Sequence, residues 1–552
     1  MNIIIIIIII IIICILIITI ISLVLYKKNN SLLHQTRNEN LDSLKILQSD
    51  LLQTTTKVEK PNPFELLPYD PFNAKWNELN IKRMGIMMLP YLINYLFINN
   101  PPWGIYFASD WDGANILYEA RNNGRNAITK GVRSGKQNGN GSAESIPYLF
   151  GDTNASIQWP EGSIPEKFTI CSITRYTGGS NQRILQSSTG KSNWFHGHDN
   201  NNSGVVYYEN WMTPEKNNVN VFTDWVVTCG KNGSNKSTNI FVNNINIDSN
   251  QSTNILVNDI NIGNNNNGVG GLQLGINIPN GGCCPNKTSN WALSVVFIWD
   301  TILTDNNITS MSTLLNRYLI NSVSLRQVLQ PYLIKYLLIN KPPWGIYFAS
   351  DWDGENTLYE SRKNGRNATT KNITYSNKIG IGSAVPIPSL SGDTNASIQW
   401  PNGSIPEQFT ICSITRYTGG ANQRILQSSS VGKSNWFHGH NNNNNGVVYY
   451  ESWMTPEINN VGAPIDWVVT CGKNASTLPN NIWVNNKNIG NNNNGVGGLQ
   501  LGINVPNTGC CSNETSNWAF NQVYIWDQIL TDIEIKLVSN ALTTYLLTGK
   551  PI

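Results

Sequence analysis

The 552-residue sequence predicts an all-β protein built from two tandem β-sandwiches. The first observation is a long internal repeat: Pro342 to Gly354 reproduces Pro101 to Gly113 letter for letter. The match resumes at Gly151 to Pro160 and Gly392 to Pro401, at Phe168 to Tyr176 and Phe409 to Tyr417, and at Asn193 to His198 and Asn435 to His440. The second is its length. Solenoid units repeat every 20–50 residues or so, whereas each copy here can bury a core of its own. The third is local pattern. Within a copy, short apolar runs such as Phe168 to Tyr176, Trp225 to Cys229 and Trp291 to Trp299 alternate with turn signals and not with helices. That spacing predicts antiparallel sheets.

Taken in order, the chain opens on an uncharged run from Ile3 to Leu25. It exceeds the roughly 20 residues a membrane-spanning helix needs and lacks a signal peptide's cleavage site. Residues 1–26 are therefore expected to be a transmembrane anchor, making the chain a single-pass membrane protein. Lys27, Lys28 and Arg37 follow it, which favours a cytosolic bulk by the positive-inside rule, whereas the cysteine sets described below point to the other side, so orientation stays open. Leu41, Leu44, Leu47 and Leu51 recur at helical spacing, and Pro61, Pro63, Pro68 and Pro71 impose extended chain, so 27–84 reads as stalk and linker. The apolar runs Ile86 to Ile98 and Val328 to Ile339 predict short linker helices packed beside their own domains, 85–326 and 327–552. Thr304 and Thr531 stand where a closing helix needs an N-cap. Ile240 to Ile247 recurs as Ile255 to Ile262 in the first copy only, which predicts an extra loop or edge hairpin.

Charged residues make up 13% of the chain and the net charge is +3, so no basic footprint for nucleic acid exists. Apart from Cys14, the cysteines fall four to a copy: Cys171, Cys229, Cys283, Cys284 and Cys412, Cys471, Cys510, Cys511. An even set per domain suits a disulfide framework, with three pairings open in each; free buried thiols are the alternative.

The final apolar strand from Trp291 to Asp300, followed by Leu303-Thr304-Asp305, resembles the closing strand of the laminin-G-like branch of the concanavalin A-like lectin/glucanase superfamily. Trp518 to Asp527 and Leu530 to Ile535 repeat it, and Trp225 to Gly230 is similar to another strand of that family. The resemblance covers nearly all of 101–318 and 342–547, in a version similar to proteins of giant viruses. It implies two concanavalin A-like jelly rolls (LamG domains) and leaves activity open, because the fold hosts lectins, adhesion modules and hydrolases.

Glycoside hydrolysis needs two carboxyls flanking the bond, and the Glu-x-Asp-x-Glu run that the superfamily's glucanases use is missing. The chain is therefore expected not to be an enzyme. Four of the five histidines lie in two His-Gly-His triplets. On a strand, Trp194, His196 and His198 share a face. With Tyr207, Tyr208, Glu209 and Trp211 they offer a sugar platform, repeated as Trp436, His438, His440, Tyr450, Glu451 and Trp453. Hydrogen-bonded core histidines and a two-histidine metal site are the competing readings. The resemblance also raises calcium at Asp110, Asp112, Asp351 and Asp353, with Asp152 as a further oxygen donor, against an ordinary role for Asp in turns. The expected function is a membrane-anchored carbohydrate-binding or adhesion protein, at a host membrane or virion surface. Its two equivalent domains would engage glycans or glycoproteins with avidity. A structural, protein-binding surface protein is the first alternative, and a glycoside hydrolase with a rearranged carboxylate pair is the second.

Overall fold

The computed structural model describes residues 92–549 except 138–140, 143–144, 190–191, 217–222, 234–238, 245–257, 262–265, 279, 281, 322–323, 430–433, 464, 476–479, 492, 506–508 and 512. The expected anchor, stalk and Pro-rich linker lie outside these residues. No helix among the described residues is long and apolar enough to cross a membrane. For the described residues, this corrects the expected placement as a single-pass membrane or virion-surface protein: none of their helices spans a bilayer.

The described chain is mainly antiparallel sheet. In the first copy Trp291–Trp299 is the central strand, flanked by Thr169–Tyr176 on one side and by Ile146–Gly151 and Gly104–Phe107 on the other. Val226–Lys231, Ile240–Asn244 and Asn258–Asn261 extend this eight-stranded sheet to one edge and Arg133–Gln137 to the other. A seven-stranded sheet faces it, running Asn202–Tyr208, Trp194–Asp199, Leu185–Ser187, Leu274–Ile276, Ser156–Gln158, Ala127–Lys130, Ile116–Leu117. The second copy repeats both sheets in the same order, with Trp518–Trp526 at the centre of the larger. Between the sheets of the first copy lie Ile170, Tyr176, Trp194, Tyr208 and Trp291, all fully buried. Ile411, Tyr417, Trp436, Tyr450 and Trp518 fill the second.

Asparagine-rich stretches close the hairpins. Asn200 and Asn201 sit at φ 48° and 64° between paired strands, and Asn442 and Asn443 at 48° and 62°. Two successive left-handed residues are what a tight type I′ hairpin requires, and Asn tolerates them. The duplicated segment forms an edge hairpin, with Phe241 opposite Asn261. In the second copy the same edge is the short hairpin of Ile482–Val484 and Lys487–Asn488.

The larger sheet of each copy turns its other face to helices. Helix α1 spans 92–99, α2 Asp305–Asn321, α3 Leu325–Asn340 and α4 Asp532–Thr548. Thr304 and Thr531 cap α2 and α4 through their hydroxyls, and Thr531 with Glu534 completes a capping box. Cys171 and Cys229 lie opposite one another on paired strands under α2 and are disulfide-bonded; Cys412 and Cys471 repeat the pair. Cys283–Cys284 and Cys510–Cys511 are bonded between chain neighbours.

The linker helix departs from expectation. α3 does not pack against the second copy alone. Tyr332 meets Phe97 edge to face at 5.2 Å and accepts a hydrogen bond from Arg121 at 3.4 Å, while α3 also packs on α4. One continuous apolar cluster therefore joins Phe97, Phe297 and Trp299 of the first copy to Cys412, Trp467 and Trp526 of the second through the four helices.

Candidate functional site

Strand register decides which residues of the repeated Trp-Phe-His-Gly-His segment reach solvent. Trp194, His196, His198 and Tyr208 project into the sandwich, as do Trp436, His438, His440 and Tyr450, and all eight have no exposed surface. The expected sugar platform cannot be these residues, because the opposite sheet covers them.

Their chemistry is that of a partly satisfied polar core: His196 is bonded at both ring nitrogens, whereas Trp194 Nε1 and His198 Nε2 are buried without a partner, as are Trp436 Nε1 and His440 Nε2. Trp194 stacks on Tyr208 at 4.8 Å. His196 Nδ1 lies 2.7 Å from the Tyr208 hydroxyl and Nε2 lies 3.2 Å from the Thr228 carbonyl. The carbonyl can only accept, so Nε2 carries the proton and Nδ1 accepts from Tyr208. Burial lowers the His196 pKa to about 4, partly offset by the bond to the Thr228 carbonyl. Burial, reinforced by the neighbouring His196, lowers His198 to about 3. His438 and His440 repeat both effects. Among the described residues no group of three His, Cys, Asp or Glu could hold a metal.

The carboxylates proposed for calcium are otherwise engaged. Asp112 Oδ1 accepts from the backbone N–H groups of Ala114 and Ile116, and Asp353 Oδ1 from those of Glu355 and Thr357. These are turn bonds of the kind Asp makes with its own chain. Asp110 is ion-paired with Arg326, and Asp351 accepts from the Ser361 hydroxyl. Asp152 likewise accepts from the N–H of Asn154. The expected calcium set thus resolves into turns at Asp112, Asp152 and Asp353, one ion pair at Asp110 and one serine hydrogen bond at Asp351.

On the outer face of the smaller sheet lies a second aromatic group, in which Phe195 is itself buried beneath partly exposed Tyr207 and Trp211. Phe195 stacks on Tyr207 at 5.7 Å, and Trp211 stands edge-on to both at 5.7 and 5.1 Å. Tyr207 and Trp211 are half-buried, and so are Tyr449 and Trp453, which repeat the cluster around Phe437. Glu209 and Glu451 stand between these aromatics at φ 64° and 63°, left-handed backbone that ordinary residues avoid. Glu451 Oε1 accepts from the Asn435 N–H at 2.6 Å. Arg183 lies over Phe195 at 4.5 Å and bonds to Asp199 at 3.1 Å; Lys287 lies 3.5 Å from the same carboxylate. In the second copy Arg424 covers Phe437 at 4.7 Å but pairs with Glu514.

Of the expected site residues, Glu209, Trp211, Glu451 and Trp453 stay on this face, and Phe195, Phe437, Arg183 and Arg424 join it. The signal for these additions was present: Tyr207 and Tyr208 are neighbours and must face opposite sides of a strand. With aromatics on both sides, alternation alone could not say which side was inside.

Concavities lie elsewhere. One of about 540 Å³ is bounded by Asp351, Tyr359, Glu360, Ser361, Lys363, Gly365 and Asn367. The equivalent rim of the first copy is walled by α3, α4 and Trp483.

No protein-family model and no curated protein matches the chain. Several solved structures are similar. Domain 4 of AbnA, a GH43 extracellular arabinanase from Geobacillus stearothermophilus solved with arabinotriose, is 12% identical, with 36% of this chain and 99% of that chain covered, at TM-score 0.27. Trypanosoma rangeli sialidase is 11% identical over 78% of this chain and 68% of that chain, at TM-score 0.25. A GH54 α-L-arabinofuranosidase soaked with a cyclic sulfate inhibitor is 11% identical over 53% and 67%, at TM-score 0.24. These structures are named for an arabinanase, a sialidase and an arabinofuranosidase, and the expectation that the chain is not an enzyme is withdrawn. Likeness at this level assigns no reaction and no fold family.

Proposed function

We propose that the chain binds carbohydrate on the solvent face of the smaller sheet in each sandwich, and that both sandwiches are laminin-G-like jelly rolls. The observation that carries the reading is the half-buried Tyr207–Trp211 pair, repeated as Tyr449–Trp453. Sugar rings present apolar C–H faces that pack on aromatic faces, and hydroxyls that need nearby polar partners. Glu209 and Glu451 supply acceptors there, in backbone conformations whose cost both copies bear. Two such faces on one chain favour polymeric or multivalent glycans, because the second engagement is intramolecular.

A glycan array with the full chain tests this, followed by titration of the best ligand against a Trp211→Ala/Trp453→Ala variant. Binding should be lost with the melting temperature nearly kept, since neither indole is in the core. A folded wild-type chain that binds no glycan, or a double variant that binds unchanged, overturns the reading. Trp194→Ala is the contrasting control. It removes a fully buried indole and should cost about 3–5 kcal/mol of stability.

A further inference from the structure

The cavity between the copies is lined by a carboxylate oxygen that the protein leaves without a hydrogen-bonding partner and by the cation Lys536. About 360 Å³ in volume, it is bounded on the first copy's side by Ser109 to Asp112 and Tyr118, by Arg326 of α3, and on the second copy's side by Asn480, Trp483 and the start of α4. That volume falls in the range of small-molecule sites, about 300–1,000 Å³.

Most of its polar atoms are committed. Arg326 pairs with Asp110 Oδ1, Asp532 accepts from Lys473 and Asn480, and Asp112 serves its own turn. The two indoles are pinned through their N–H groups, Trp111 to Thr129 at 2.9 Å and Trp483 to the Asn480 carbonyl at 3.3 Å. Asp110 Oδ2 is the exception. Its side chain is 4% exposed and this oxygen has no hydrogen-bond partner. Such an atom loses its hydration and gains nothing in return. Lys536 brings its ammonium over Trp483, 5.7 Å from the ring centre, and its charge reaches Asp110.

The repeat shows how unusual this is. In the second copy the matching oxygen, Asp351 Oδ2, accepts from Ser361. The first copy has Ala120 at the Ser361 position, so the same oxygen is buried without a partner. We propose that this inter-copy cavity is a binding site for a neutral sugar, at one site per chain. Vicinal hydroxyls meet its demands: one donates to Asp110, another accepts from Lys536, and the ring lies against Trp111 and Trp483. An anion faces three carboxylates there, and a cation faces Arg326 and Lys536.

The test uses the full chain carrying Trp211→Ala and Trp453→Ala, which removes the outer faces from the measurement. D-galactose, D-mannose, L-arabinose and N-acetyl-D-glucosamine are the probes, read by saturation-transfer NMR and titration. At least one should bind saturably at one site per chain. Lys536→Ala, at an exposed position, and Ala120→Ser, which copies the second sandwich, should each weaken that binding by about tenfold. Ala120→Ser should do so with the melting temperature unchanged or raised. No saturable binding by any probe, or binding indifferent to both substitutions, overturns the proposal. Loss of array binding in the outer-face variant leaves this result untouched, so the two sites fail separately.

Discussion

Arg121 in the first copy and Arg362 in the second make the same bond to a fully buried glutamate, at 2.9 and 3.0 Å, yet their surroundings differ. Arg121 is 4% exposed, beneath Tyr332 and with its guanidinium 5.2 Å from the Tyr336 ring; Arg362 is 34% exposed. The cause is position in the chain. A linker helix follows the first sandwich and folds over its rim, and that rim then meets α4 of the second. Sequence duplication therefore yields two alike interiors and two unlike rims. Interiors depend only on contacts within a copy, whereas a rim depends on what comes next in the chain.

The largest expected effect tests the shared interior. An unfolded histidine titrates near 6.5, and burial holds the native rings at about 4 and about 3 in both copies. The native state thus keeps them neutral while the unfolded state takes up protons. Their contribution is complete above pH about 6.5 and is lost as pH falls toward the native values. At about 1.4 kcal/mol per unit and ring, four rings together should withdraw on the order of 8 kcal/mol between pH 7 and pH 5. Melting followed across that range should show both sandwiches weakening together. If only one sandwich responds, or neither does, the interiors are not equivalent.

The next effect separates the rims. Arg121→Ala strands Glu119 in the interior and removes the donor to Tyr332, which should cost about 3–5 kcal/mol. Both glutamates keep two backbone donors, Ile105 and Arg121 for Glu119, Ile346 and Arg362 for Glu360, but water already reaches Arg362 and Glu360 has a third donor in the Asn364 N–H. Arg362→Ala should therefore cost about 1–2 kcal/mol. Denaturant melts of the two variants read the difference. Equal losses would mean that the linker helix adds nothing to the first rim.

Much of this organisation was legible in the residues and some was not. The repeat, the strand runs, the capping threonines and the edge duplication are local patterns, and each has its counterpart in the described fold. The aromatic site was half legible. Alternation fixes two faces and does not label them, so the sequence puts Tyr207 and Tyr208 in one platform and offers no reason to prefer Phe195 to Trp194. The helix-covered layer labels the faces of the larger sheet only after folding. Nothing local to Asp110 could reveal an open carboxylate oxygen, because that depends on Ala120, Arg326 and a helix from the other copy. The disulfide partners were likewise set by strand pairing, which places Cys171 beside Cys229.

The smallest expected effect examines where the copies have diverged on the outer face. Arg183 takes its counter-charge from Asp199 on its own sheet, with Lys287 on the far side of that carboxylate. The second copy has Asn441 at the Asp199 position and Glu514 at the Lys287 position, and Arg424 pairs with Glu514. Either arrangement neutralises an arginine held against a phenylalanine ring, so the charge moved while the cation stayed. Asp199→Asn alone leaves Arg183 between a neutral amide and Lys287, and should cost about 1.5–3 kcal/mol, the worth of a hydrogen bond to a charged group. Adding Lys287→Glu rebuilds the second copy's pairing in the first and should recover most of that loss. A double variant no more stable than Asp199→Asn would show that the two solutions are not interchangeable. The aromatic faces would then be tuned by different charges in the two sandwiches.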